Sequence, residues 1–193
     1  MKMRKAVILI VDDDANDQFL IKTAFREAGV HDTIYTVNDG AEAISYLKGN
    51  GKYANRDEYL FPSFVLTDLK MPKVNGFELL RFLKSNPQLI VVPTVVFTSS
   101  ADRDDIKRAY LFGANAYHVK SQTLDGLCTQ LKLVHQYWTS CEVPEIDQTG
   151  NLLPTDSGGK LGENIPQPNR RDTGPLIDPG MRSSESDAFP PSV

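Results

Sequence analysis

Five times within its first 140 residues the chain repeats one unit, a short apolar run rich in β-branched residues followed by a stretch with helical spacing. The apolar runs are Ala6–Val11, Thr33–Val37, Phe64–Thr67, Thr94–Thr98 and Ala116–Val119. Runs this short suit strands rather than helices. Between them the period changes. Ile21, Ala24, Phe25 and Ala28 follow the i, i+3, i+4, i+7 rule, and Gly29 suits a helix end. A second helix, about Ala41–Leu47, is the shortest. Leu79, Phe82 and Leu83 mark a third, which must stop near Asn86-Pro87 because a residue before proline is pushed out of the helical region. Ile106, Ala109 and Tyr110 mark a fourth, closed by Gly113. Leu124, Leu127, Leu131, Val134 and Trp138 form a stripe on the fifth.

Five strand-then-helix units in series imply a parallel sheet with helices on both faces. Right-handed crossovers leave few ways to wind five strands, and the doubly wound, flavodoxin-like order 2-1-3-4-5 is a common one. The expected class is therefore α/β. In such sheets ligands sit outside the carboxyl ends of the strands.

The composition shifts near residue 140. Cys141–Val193 holds eight of the chain's twelve prolines, one aromatic residue, nine acidic residues and four basic ones. Its net charge of −5 leaves residues 1–140 near +1. Such a segment cannot bury enough apolar surface to offset its chain entropy. It reads as a disordered tail over 141–193, after a domain over 1–140.

The N-terminus starts basic and turns apolar, as a signal peptide does, but Asp12-Asp13-Asp14 cut the run short and no small-residue cleavage site follows. No run approaches the ~18 apolar residues of a membrane span. Cys128 and Cys141 have no metal-type spacing, so a reducing cytoplasm fits, with Cys128 a core residue on a helix. His31, His118 and His135 are scattered and suggest no zinc site or Ser-His-Asp set. A net charge of −4 is unlike a nucleic-acid binder.

The predicted strand ends carry the chemistry. The first ends in Asp12-Asp13-Asp14, the third in Asp68, the fourth in Thr98-Ser99-Ser100 and the fifth in Lys120. Taken singly, each has an ordinary explanation. Asp14 suits an N-cap, a lone Lys is solvated, and Thr-Ser-Ser is a turn. Together, the topology brings them to one edge. Crowded carboxylates raise each other's pKa, and a divalent cation removes the conflict. Mg²⁺ prefers one or two carboxylates, a carbonyl and waters. A carboxylate beside it can form an aspartyl phosphate, with a hydroxyl and an ammonium covering the phosphoryl oxygens.

The set resembles the receiver domains of bacterial response regulators over roughly residues 5–138. The matching motifs are Ile8-Leu9-Ile10-Val11-Asp12-Asp13, Asp68-Leu69-Lys70-Met71-Pro72 with Gly76, Thr98-Ser99, and Gly113-Ala114-Asn115-Ala116-Tyr117-His118-Val119-Lys120. The resemblance implies a stand-alone switch that takes a phosphoryl group from a histidine kinase onto Asp68. It implies Mg²⁺ held directly by Asp13 and Asp68, with Asp12 assisting and the Lys70 main-chain carbonyl as a further ligand. It assigns Thr98 and Lys120 to the phosphoryl group, and Thr98 with Tyr117 to the switch. The Lys70 side chain falls where receivers tune phosphoryl hydrolysis. The sequence departs from the pattern at Ser121, where receivers usually have a proline after a cis bond. A cis bond without proline costs ~3 kcal/mol, which puts the aim of Lys120 in question.

The long loop Gly49–Pro62, with Gly51-Lys52-Tyr53, and the helix end His135-Gln136-Tyr137-Trp138 look like the single-domain regulators that partner phytochrome-type kinases. A plain surface insertion explains the loop equally well. The implied output surface is the helix 4–strand 5–helix 5 face, to which Tyr110, Phe112, Tyr117 and Trp138 map, and which would bind a partner or a second copy.

Three other readings were open. A haloacid-dehalogenase-type phosphohydrolase also uses Asp, Mg²⁺, a hydroxyl and Lys, but Ala15-Asn16 do not continue its Asp-x-Asp pattern and little chain is left for a cap. A DNA-binding output finds only an acidic tail. A degenerate receiver is opposed by the complete acidic set.

Overall fold

The computed structural model describes residues 5–144, 146–147, 150 and 153. The elements follow in the order β1 (Val7–Val11), α1 (Ala15–Glu27), β2 (Thr33–Val37), α2 (Gly40–Lys48), a 3₁₀ turn (Gly51–Tyr53), β3 (Phe64–Thr67), α3 (Gly76–Ser85), β4 (Thr94–Thr98), α4 (Arg103–Leu111), β5 (Ala116–Val119) and α5 (Leu124–Ser140). All five strands are parallel, in the order β2-β1-β3-β4-β5. The expected architecture is the observed one.

Side-chain alternation builds the two layers. Ile8 and Ile10 of β1, with Phe64, Leu66, Val95 and Phe97, pack against Ile21 and Phe25 of α1 and Leu127, Leu131 and Val134 of α5. Leu9 and Val11, with Val65, face α2 and α3 through Ala43, Tyr46, Leu47, Leu79 and Leu83. The central strands β3 and β4 are buried along their full length, as a sheet covered on both faces requires.

The helix positions hold, although α2 is no shorter than α4, at nine residues each, and Tyr110 of the α4 set lies on the surface. Asp14 Oδ1 accepts the Asn16 N–H at 2.7 Å and caps α1. Asn75 and Glu78 form a capping box on α3, which ends before Asn86-Pro87. The stripe on α5 departs at its first residue, since Leu124 lies on the surface.

The Gly49–Pro62 loop is packed rather than loose. Tyr53 and Tyr59 close over Tyr46 and Tyr35 with ring centroids 4.9–6.2 Å apart. The Tyr35 hydroxyl donates to the Glu58 carbonyl, and the Tyr46 hydroxyl to the Leu60 carbonyl at 2.6 Å.

The chain also stays on the domain past residue 140. Ile146 packs against the α2–α3 layer, and Gly150 lies against the Phe61 ring. The first compact unit runs to Leu153. The rest of the expected tail lies outside the described residues.

Candidate functional site

Continued strand pairing assembles the site. Asp12 N–H donates to the Val37 carbonyl at 3.1 Å, Asp68 N–H to Val11 at 2.9 Å, and Lys120 N–H to Thr98 at 2.7 Å. These bonds extend the ladders one residue beyond β1, β3 and β5. They bring Asp12, Asp68, Thr98 and Lys120 to the carboxyl edge of neighbouring strands.

The partners of these groups differ. Asp12 is buried. Its Oδ1 accepts the Asp14 N–H at 3.0 Å and its Oδ2 the Lys120 ammonium at 2.7 Å. Burial pushes the Asp12 carboxyl up, against the bond from Lys120 and with the repulsion of Asp68. Burial alone would lower Lys120, but its bonds to Asp12 and Asp17 outweigh that and hold it charged. Asp68 Oδ2 accepts the Lys70 N–H at 3.1 Å. Asp68 Oδ1 is buried and has no hydrogen-bond partner among the described residues. Asp13 and the Lys70 side chain are exposed.

Thr98 is buried, and its hydroxyl accepts a long 3.4 Å contact from the Ser100 N–H. Tyr117 is half-buried. Its ring packs against the Leu69, Leu80 and Val96 cluster, and its hydroxyl donates to the Ser100 carbonyl at 2.9 Å. Hydroxyl and aromatic therefore meet on the β4–α4 loop.

No cis peptide bond occurs among the described residues, so the Lys120–Ser121 bond is trans. Lys120 still reaches the acidic edge. Gln130 of α5 fixes the loop on both sides of it. Its Oε1 accepts the Ser121 N–H at 3.0 Å, and its Nε2 donates to the Val119 carbonyl at 2.8 Å.

Three residues of this site escaped the sequence reading. They are Gln130, Asp17, whose Oδ2 is 2.6 Å from Lys120 Nζ, and Gln18, whose Nε2 donates to the Asp12 carbonyl at 2.6 Å. Asp17 and Gln18 stand one turn after the acidic run, but their spacing does not say that they turn back to the sheet edge. Three of the four aromatics assigned to the output face are not open on it, Tyr117 being half-buried against its cluster. Phe112 packs edge-on against Phe77, and Trp138 is partly buried against the α1–α5 layer.

No group of three or more Asp, Glu, His or Cys side chains among the described residues forms a cage for a metal. The donor set suits Mg²⁺ nonetheless, because Mg²⁺ takes few protein ligands and keeps waters. The buried, unpartnered Asp68 oxygen is the observation that fits a cation.

The comparisons agree with this geometry. Residues 8–132 match the model of the response regulator receiver domain. Response regulator Rcp1 of Synechocystis sp. is 32% identical over 132 residues, covering 68% of this chain and 88% of its own. The crystal structure of the phosphorylated cyanobacterial phytochrome response regulator RcpA is 36% identical with a TM-score of 0.67, covering 74% of this chain and all of that one. The Mn²⁺-bound form of Rcp1 is 30% identical with a TM-score of 0.64, covering 72% of this chain and 99% of that one. The phosphohydrolase alternative falls here, and Asp14, the second Asp of its motif, serves as a helix cap. The chain belongs to the response regulator receiver domain family, whose members act in signalling by accepting a phosphoryl group.

Proposed function

We propose that Asp68 accepts the phosphoryl group, from the phosphohistidine of a sensor histidine kinase, in a Mg²⁺-dependent reaction. The carrying observation is the buried Asp68 Oδ1 at the edge of a central strand, which has no partner among the described residues. An unsatisfied buried carboxylate oxygen is costly, and such a cost is characteristic of groups kept for chemistry.

Asp13, Asp68 and the Lys70 main-chain carbonyl would hold Mg²⁺, with Asp12 assisting. The bound ion supplies charge neutralisation for the phosphoryl oxygens. Rcp1 with Mn²⁺ bound supports a divalent ion. Lys120 supplies a second positive charge. Thr98 donates its hydroxyl to the phosphoryl group, and Tyr117 follows the β4–α4 loop.

The likeness to phytochrome response regulators supports a phytochrome-type kinase as partner, acting in the cytoplasm. We assign the output to the α4–β5–α5 face, where Tyr110, Leu111, Leu133 and Tyr137 are exposed. The receiver is the working unit.

Incubation with Mg²⁺ and acetyl phosphate gives an acid-stable, base-labile adduct on the wild type and none on Asp68→Asn. An adduct that survives in that variant overturns the assignment. The mass from light scattering doubles when the donor is present, and an unchanged mass argues against the dimer face.

A further inference from the structure

Lys120 stands between two carboxylates from different elements, and neither is Asp68. Its Nζ is 2.7 Å from Asp12 Oδ2 and 2.6 Å from Asp17 Oδ2. No ion pair joins it to Asp68 among the described residues, and Asp68 Oδ1 stays bare.

The two pairs have different causes. The side chains of Lys120 and Asp12 are 10% and 3% exposed, so each needs the other. The Asp17 side chain is 38% exposed, and water alone could satisfy it. An acid in the first turn of a helix ordinarily serves the N-terminal N–H groups of its own helix. Asp14 already caps that turn. Asp17 reaches out of α1 to the end of β5 instead.

Nor is Asp17 needed to hold the loop. Gln130 already fixes the backbone on either side of Lys120, through Ser121 N–H and the Val119 carbonyl. Asp17 therefore acts on the ammonium alone.

We infer that Asp17 is a positioning residue that parks the Lys120 ammonium on α1, and that the phosphoryl group must draw it from Asp17. The inference rests on Asp68 being the acceptor and Lys120 its counter-charge. With acetyl phosphate, an Asp68 carboxylate oxygen forms the new P–O bond. The bond from phosphorus to the acetyl oxygen breaks, and its electron pair leaves on acetate. Charge on the phosphoryl oxygens then competes with Asp17 for one ammonium. The parked state slows uptake, so the unphosphorylated form is kept off by a contact outside the acidic cluster of β1.

The test compares the full chain with Asp17→Asn, which removes the charge at nearly constant shape. With Mg²⁺ and saturating acetyl phosphate, followed by intact-protein mass spectrometry, the rate constant for labelling rises roughly twofold to fivefold, as loss of a partly exposed ion pair predicts. The donor concentration at half-maximal rate stays unchanged. Asp17→Glu keeps the wild-type rate. Without Mg²⁺ or donor, the Lys120 ammonium resonance in ¹H–¹⁵N spectra shifts in Asp17→Asn and not in Asp17→Glu. If Asp17→Asn melts well below the wild type, Asp17→Ala is compared in its place. A folded variant that labels at or below the wild-type rate overturns the parking role. A wild-type chain that takes no label overturns the acceptor assignment beneath it.

Discussion

Glu42 on α2 and Asp68 at the end of β3 are both carboxylates partly shielded from water, but only Glu42 has both oxygens occupied. Glu42 Oε1 accepts from Lys52 and from the Tyr53 hydroxyl, each at 2.7 Å. Its Oε2 accepts the Asn38 N–H at 2.9 Å. Burial alone would raise Glu42, but the bonds from Lys52, Asn38 and Tyr53 outweigh it and hold the carboxyl at about 2. Asp68 has one backbone donor and one bare oxygen, and its charge repels that of Asp12. The saturated carboxylate ties the tyrosine-lined loop to α2. The unsaturated one is left with capacity for a ligand.

Four experiments press on this contrast. The largest effect is on chemistry: Asp68→Asn loses phosphoryl uptake completely, while Glu42→Gln labels at the wild-type rate, as mass spectrometry would show. Next comes packing. Tyr46 is fully buried at the centre of the tyrosine cluster, and Tyr46→Ala costs about 3–5 kcal/mol in urea unfolding. Smaller still are the charge changes, which should have opposite signs. Glu42→Gln weakens its hydrogen bonds and costs about 1 kcal/mol. Asp68→Asn removes a repulsion and gains up to about 1 kcal/mol. Equal signs in chemical denaturation would dissolve the contrast.

The smallest effect is the pH dependence. Glu42 titrates lower in the folded chain than its usual 4.5, so its contribution is present above about pH 4.5 and fades as the pH falls toward about 2. Asp12 is shifted the other way, so acidification relieves its burial rather than removing a stabilising charge. The urea midpoint of Glu42→Gln should change less than that of the wild type across this window.

The fold and four strand-end residues were legible because strand length and period follow from apolar spacing, and the topology then dictates where the strand ends meet. Asp17 and Gln130 were not. They lie inside helices, where a polar residue faces water by default, and spacing does not say which one turns back toward a sheet edge. The packed segment after residue 140 was hidden for another reason. The composition of 141–193 as a whole is that of a tail, yet Ile146 finds a place on the layer built from Phe61 and its neighbours. At Ser121 the departure from the family pattern was plain, but its consequence depended on a side chain nine residues further on, Gln130.

Gly76 carries a last consequence. A Cβ placed there would lie 2.2 Å from the Asp68 carbonyl oxygen and 2.8 Å from Leu69 Cα. Both are backbone atoms, so no side chain can swing aside to make room. In a map of mutational tolerance, Gly76→Ala would therefore score among the residues that perform the chemistry, although it brings no functional group. The acceptor is vulnerable through its own main chain, at a position that a search restricted to reactive side chains would pass over.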